Sequence, residues 1–239
     1  RGRKPAQWDG ASAGVAPASP NHRTRLPHVE LGAVPQHVCL RLGDSLAPKL
    51  RRELTETRLP NAHRVRKVEP RRKVDAALDT GYGACWLRRP EIAEVVQSAL
   101  RHFDCERYDL HEWVVMPNHA HVLFTRLRAT PLSSIVHSWK SHTAKRANAL
   151  LGRSGAFWDS DYFDRAIRNE RHFRIAADYI RANPVNAGLC EAPEDWRWSS
   201  AYQPSVRDAR PVYLLSPMPR PPRTAARLRQ RTMRSLHAS

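Results

Sequence analysis

Apolar and polar positions alternate with period two where the apolar-rich part of the chain begins. In residues 34–42 (VPQHVCLRL) Val38, Leu40 and Leu42 fall on one face, and His37, Cys39 and Arg41 fall on the other. Successive strand residues point to opposite faces, so this pattern predicts a half-buried β-strand. Residues 45–59 (SLAPKLRRELTETRL) then predict a helix capped by Ser45 or Asp44.

Three further segments have helical periodicity. Residues 88–103 (RRPEIAEVVQSALRHF) repeat apolar side chains at i, i+3 and i+4, and Pro90 suits a first helical turn. A second long helix is predicted over residues 131–152. A third is predicted over residues 170–183 (ERHFRIAADYIRAN), where Pro184 is expected to stop it.

Two strands are predicted between the first two of these helices. Residues 107–116 and 119–125 are rich in apolar and aromatic side chains and are joined by a tight turn at Pro117 and Asn118. The order of elements is therefore strand, helix, helix, strand, strand, helix, helix. It predicts an α+β fold, a ferredoxin-like or RRM-like antiparallel sheet with helices on one face.

Both ends of the chain lack this periodicity. Residues 1–30 are rich in proline, glycine, alanine and arginine, and we expect a disordered basic arm. Residues 204–239 are rich in arginine and proline and predict a mostly disordered tail. The folded domain is therefore expected at residues 31–203.

The charge of the chain predicts a polyanionic partner. Its formal net charge is +17 and its pI is about 10.8. A field of this sign attracts phosphates, which favours nucleic acid, with an anionic membrane surface as the alternative. No apolar run approaches the roughly 18 residues that a membrane-spanning helix needs, and no signal-peptide pattern is seen.

The four cysteines do not form a metal-binding or disulfide pattern. Cys39, Cys85, Cys105 and Cys190 lie far apart and include no CxxC pair. A zinc knuckle or a disulfide framework is therefore not expected. We predict four reduced thiols in a cytoplasmic protein.

Residues 114–125 (VVMPNHAHVLFT) contain two histidines inside an apolar run. On a strand, His119 and His121 would project from the same face about 7 Å apart along the chain. Neutral imidazoles at this spacing can converge on one metal ion, provided that a third donor exists. In a chain with twelve histidines such a pair also arises by chance.

A second candidate group lies in residues 178–184 (DYIRANP). Tyr179 and Asn183 are four residues apart and would share one face of a helix. The amide oxygen of Asn183 can bind a hard divalent cation. The hydroxyl of Tyr179 can act as a nucleophile on a target polarised by a metal. The alternative is a boundary tyrosine followed by an asparagine at a helix C-terminus.

Five motifs together resemble the REP-associated tyrosine transposases, which belong to the single-tyrosine HUH (His, hydrophobic, His) transposase superfamily. The resemblance covers about residues 24–203. The motifs, in chain order, are WVVMPNHAHVLF, HSWKSHTAKR, FWDSDYFDRAIRNERHF, DYIRANPVNAGL and PEDWRWSSAY.

The resemblance implies roles for four residues. The HUH pair falls on His119 and His121, the catalytic tyrosine on Tyr179, and the third metal ligand on Asn183. It implies that Mg²⁺ or Mn²⁺ polarises a phosphate of single-stranded DNA while Tyr179 forms a 5′-phosphotyrosine link that is later resealed. The implied partner is single-stranded DNA with palindromic hairpin repeats rather than a membrane, and the implied enzyme is a monomer or homodimer.

The DNA-contacting residues are less clearly marked in the sequence. Lys140, Lys145 and Arg146 lie on the helix after the HUH strand, and Arg165 and Arg168 precede the tyrosine helix. All five are candidates for phosphate contacts, although a solvated helix face explains the first three equally well. Two other functions remain open, a non-catalytic DNA-binding relic and a metal-dependent DNA hydrolase.

Overall fold

The structure is a computed structural model that describes residues 34–56, 69–127 and 130–204. Within these residues it contains four strands and five helices. The strands are β1 (Pro35–Arg41), β2 (Tyr108–Val115), β3 (His119–Arg126) and β4 (Phe163–Ala166). The helices are α1 (Pro48–Glu56), α2 (Glu69–Asp79), α3 (Pro90–His102), α4 (Leu132–Leu150) and α5 (Glu170–Asn186).

The four strands form one sheet in the order β2-β3-β1-β4. Every neighbouring pair is antiparallel, and β1 and β3 occupy the centre. The connections from β1 to β2 and from β3 to β4 contain helices, which is the ferredoxin-like arrangement. The predicted α+β fold class is confirmed.

Different helices pack on the two faces of the sheet. Val38 and Phe124 belong to the main core with Trp139, since α3 and α4 pack on their face. This is the predicted layer of helices. On the opposite face Leu123 packs against Ile180, because α5 covers β2 and β3 there. All residues of β1 are buried, so the expected half-buried strand is instead covered on both faces.

Two elements lie in segments for which the sequence predicted neither a helix nor a strand. Helix α2 ends only just before the glycine-containing turn at Gly81, and β4 falls inside the segment between the second and third predicted helices. With four residues, β4 is too short for an alternation to be recognised, and it forms only through pairing with β1. Pairing with β1 therefore stabilises a strand that the local sequence pattern does not predict.

Pro184 does not stop the last helix as predicted. Helix α5 continues through it to Asn186. A proline so close to the C-terminus removes only one hydrogen-bond donor of the helix. The helix ends at Asn186, and the turn after it contains Gly188, whose φ of +66° is readily adopted by glycine.

Several predictions concern residues outside the described part. The basic arm at 1–30 and the tail from 205 onward lie there, as do residues 57–59 of the helix predicted over residues 45–59. Among the described helices, none is long and apolar enough to span a membrane.

Candidate active site

His119 and His121 lie side by side on β3, on the sheet face that α5 covers. Both are almost fully buried, and their ring centroids are 4.8 Å apart at an interplanar angle of 81°. The face follows from strand alternation, since the intervening Ala120 and the next residue, Val122, belong to the core under α3 and α4. The structure thus brings the two predicted imidazoles together at the centre of the sheet.

Asn118 orients His119. Its side-chain oxygen lies 2.7 Å from Nδ1 of His119, and its amide nitrogen donates to the backbone oxygens of Leu78 and Tyr82 at 3.0 and 3.1 Å. The Asn118 oxygen can only accept, so Nδ1 of His119 carries the proton and Nε2 keeps its lone pair. Burial lowers the pKa of His119 to about 3, which leaves a neutral imidazole suited to metal binding.

His121 contacts a third buried histidine, His37 of β1. Nε2 of His37 is 3.1 Å from Nδ1 of His121, and the ring centroids are 5.1 Å apart. In the β1–β3 register His121 is opposite Cys39, so His37 is its diagonal neighbour on the same face. The sequence places His37 on the polar face of its strand, but its link to the site requires the strand order.

Tyr179 reaches the histidines from α5. Its ring centroid is 5.3 Å from that of His121 and 6.0 Å from that of His37. The side chain is partly buried and packs against the cluster under α5. The structure therefore brings the predicted nucleophile next to the histidine pair of its own chain.

Asn183 lies one turn after Tyr179 and is almost fully buried. Within the described residues, neither its amide oxygen nor its amide nitrogen has a hydrogen-bond partner, and the same is true of Nε2 of His119. Burying an amide without a partner costs about 1–3 kcal/mol. An arrangement of buried imidazole nitrogen and amide oxygen atoms without partners fits a divalent cation as their missing ligand.

An ion pair that the sequence pattern does not predict anchors α5. Arg181 bonds to the carboxylate of Glu112 on β2, which is almost fully buried. Ser200 donates a hydrogen bond of 2.7 Å to the other oxygen of the same carboxylate. This pairing holds the tyrosine helix on the sheet, and no sequence pattern marks residues so far apart.

The candidate DNA-binding residues divide between the two faces. Lys145 and Arg146 are exposed on α4, which packs on the face opposite the histidines. Lys140 donates from Nζ to the backbone oxygens of Asp159 and Ser160 at 2.6 and 3.1 Å. Burial lowers the pKa of Lys140, with nearby carboxylates opposing the shift. The structure does not bring these three residues to the histidines.

Arg165 and Arg168 lie on the other side. Arg165 pairs directly with His37 across β1 and β4, so both belong to the histidine face, and Arg165 is exposed. Arg168 is exposed between β4 and the start of α5. Of the five predicted basic residues, Arg165 is the one that the sheet register places beside the site.

Part of the chain matches a known transposase family. Residues 85–183 match the family described as "Transposase IS200 like". The matched stretch contains both β3 histidines and Tyr179, and it ends at Asn183. This part of the chain is therefore similar to the IS200-like transposases.

A curated transposase is also similar to part of the chain. The chain is 26% identical over 105 residues to a protein named REP-associated tyrosine transposase from Escherichia coli (strain K12). The aligned part is 44% of this chain and 61% of that relative, so the chain spans about three fifths of the relative's length. The resemblance inferred from the five sequence motifs is confirmed.

Two solved structures are also similar. One, described as a REP-associated tyrosine transposase bound to a REP hairpin, is 17% identical, with a TM-score of 0.45 over 73% of this chain and 80% of that chain. The other is a putative transposase from Deinococcus radiodurans R1. It is 13% identical, with a TM-score of 0.35 over 66% of this chain and 96% of that chain.

Proposed function

We propose that this chain is a DNA strand transferase that cleaves and rejoins hairpin-containing single-stranded DNA through a 5′-phosphotyrosine on Tyr179. The observation that carries the proposal is the 5.3 Å separation of the Tyr179 and His121 rings within one chain. A nucleophile next to a candidate metal site is the arrangement that phosphodiester transfer requires. Tyr179 and the candidate metal ligands belong to one chain here, which is compatible with a monomer or a homodimer.

His119, His121 and Asn183 are the residues that would hold Mg²⁺ or Mn²⁺. The amide oxygen of Asn183 is the kind of hard donor that these cations prefer, and the hydrogen bond on Nδ1 of His119 leaves its Nε2 for ligation. When bound, the cation polarises the scissile phosphate and stabilises the charge of the transition state.

The chain's own residues supply the bond exchange. The phenolic oxygen of Tyr179 attacks the phosphorus, an O–P bond forms, and the bond from phosphorus to the 3′-oxygen of the neighbouring nucleotide breaks. The proton lost by the phenol balances the proton gained by the departing 3′-oxygen. No water is consumed, so the 3′-hydroxyl can later attack the phosphotyrosine and restore a phosphodiester.

The charge distribution supports DNA as the substrate. Arg165 is exposed beside His37 and Arg168 is exposed just before α5, and both would contact phosphates of the reacting strand. Lys145 and Arg146 on the far face, with the overall charge of +17, would add non-specific affinity that falls with salt. Hairpin DNA as the partner rests on the resemblance of the five sequence motifs to the REP-associated tyrosine transposases.

Incubation of the protein with a labelled single-stranded hairpin and Mn²⁺ tests the function. We expect a denaturation-resistant protein–DNA adduct that Tyr179→Phe abolishes. Tyr82→Phe is the matched control, because Tyr82 is an exposed tyrosine on a neighbouring turn and should leave the adduct unchanged. Cleavage that persists in Tyr179→Phe would indicate a hydrolase, and binding without cleavage by the unaltered protein would indicate a non-catalytic relic.

A further inference from the structure

His37 has a specific contact that the proposed reaction leaves unexplained. It is almost fully buried in the central strand β1, and its Nε2 faces Nδ1 of His121 at 3.1 Å. A buried histidine is costly unless its ring nitrogens are hydrogen-bonded. This contact therefore has a definite donor and a definite acceptor.

The chemistry of His121 decides which nitrogen donates. A neutral imidazole has one protonated and one unprotonated nitrogen, and only the unprotonated one binds a metal. If Nε2 of His121 is a ligand, its proton must reside on Nδ1, which then donates to Nε2 of His37. His119 has the equivalent arrangement, with the side-chain oxygen of Asn118 as acceptor.

We infer that His37 is a positioning residue that holds His121 in its Nδ1-protonated form and fixes the orientation of its ring toward the cation. The inference deepens the proposed function and rests on its metal site. Hydrogen-bond acceptors behind metal-binding histidines set the tautomer and raise ligand basicity. Here both acceptors, His37 and Asn118, are neutral, whereas a carboxylate would place a buried negative charge beside the DNA phosphate.

The wild-type protein alone gives the first test. In metal-free protein labelled with ¹⁵N, the imidazole shifts of His121 should show the Nδ1-protonated tautomer, and a coupling should be detected across the hydrogen bond to Nε2 of His37. An Nε2-protonated His121, or a mixture of the two tautomers, overturns the inference. This measurement needs neither a variant nor a metal.

Two variants of the full chain give the second test, with Mn²⁺ affinity as the readout. His37→Phe keeps a ring but removes the acceptor, and it should weaken Mn²⁺ binding about 10- to 100-fold. His37→Gln places an amide oxygen near the position of Nε2 and should recover most of this loss. Unaltered affinity in His37→Phe overturns the inference. A loss that glutamine does not recover also overturns it, since His37 would then be a ligand itself or a packing residue.

The outcomes separate this inference from the proposed function. If Tyr179 forms the adduct and His119→Ala loses Mn²⁺, but His37→Phe does not, the function stands and the positioning role fails. If His121 has the expected tautomer but no adduct forms, the positioning role stands and the strand transfer fails. Should His37→Phe not fold, judged by circular dichroism, the tautomer measurement on the wild-type protein decides.

Discussion

Arg181 of α5, two residues after Tyr179, forms an ion pair with Glu112 of β2. The Glu112 carboxylate also accepts a hydrogen bond from Ser200, so one buried group joins the tyrosine helix, the sheet and the segment after α5. Tyr179 and Asn183 are on the same helix and must keep their position over β3. The ion pair thus supports the geometry of the site without taking part in it.

Removal of this ion pair should destabilise the fold. Arg181→Met leaves the buried Glu112 carboxylate without its cation, and we expect a loss of about 1–2 kcal/mol in the free energy of unfolding, because the arginine itself is half exposed. Urea denaturation measures it. Arg174→Met is the matched control on the same helix. Its pair with Glu170 is exposed on both sides, so the change should stay within about 0.5 kcal/mol. Equal losses in the two variants would contradict the anchoring role.

Asn183 should lower the free energy of unfolding of the metal-free protein while serving as a metal ligand. Its buried amide has no hydrogen-bond partner among the described residues. Asn183→Leu should therefore raise the free energy of unfolding of the metal-free protein by about 1 kcal/mol while abolishing Mn²⁺ binding.

Another asparagine of the same helix provides the contrast. Asn169 caps α5 by accepting a hydrogen bond of 2.8 Å from the backbone nitrogen of His172. Asn169→Leu should lower the free energy of unfolding by about 1 kcal/mol and leave Mn²⁺ affinity unchanged. Destabilisation by Asn183→Leu of the same size would show that Asn183 is structural.

Arginines on the two faces should differ in their effect on DNA binding. Arg165 is exposed on the histidine face and Arg146 is exposed on α4 across the sheet. Arg165→Gln should weaken hairpin binding and reduce the slope of log affinity against log salt by about one. Arg146→Gln should have a much smaller effect on both the affinity and the salt slope. Fluorescence anisotropy over a salt series measures both, and a larger effect of Arg146→Gln would place the DNA on the α4 face.

The stability of the domain should depend on pH through Asp79. Burial, with a smaller contribution from the nearby Asp75 charge, raises the pKa of Asp79 from 3.8 to about 6. The folded state therefore binds this proton more tightly than the unfolded state, so this group's contribution to stability is favourable below about pH 4 and is lost as the pH rises through about 6.

Asp79→Asn removes the destabilising effect of the ionised Asp79 carboxylate at high pH. Since Asp79 is only half buried, the shift is discounted, and the variant should be more stable than the wild type by about 1 kcal/mol at pH 8. At pH 4 the two should be equal. Thermal unfolding across this pH range measures the difference. Parallel curves for the two proteins would contradict the assignment.

The parts of the site that the sequence predicted depend on local periodicity. His119 and His121 share a face because they are two residues apart on a strand, and Tyr179 and Asn183 share a face because they are four apart on a helix. The fold class followed from the order of the elements. These relationships need no knowledge of which strands are neighbours.

The parts that were missed depend on tertiary pairing. His37 reaches His121 only because β1 lies beside β3, and Glu112 reaches Arg181 only because α5 crosses β2. The sequence places Asn118 in a turn, whereas its role depends on hydrogen bonds to the backbone oxygens of Leu78 and Tyr82. Contacts of this kind have no period in the sequence.

The proposed chemistry is tested most directly by locating the covalent link. The protein is incubated with a single-stranded hairpin and Mn²⁺ in water labelled with ¹⁸O, then digested with trypsin and nuclease for mass spectrometry. We predict a nucleotide attached through its 5′-phosphate to the peptide IAADYIR, residues 175–181, with no ¹⁸O in the phosphate and a 3′-hydroxyl on the released strand. An unmodified peptide together with a free 5′-phosphate containing ¹⁸O would contradict the account.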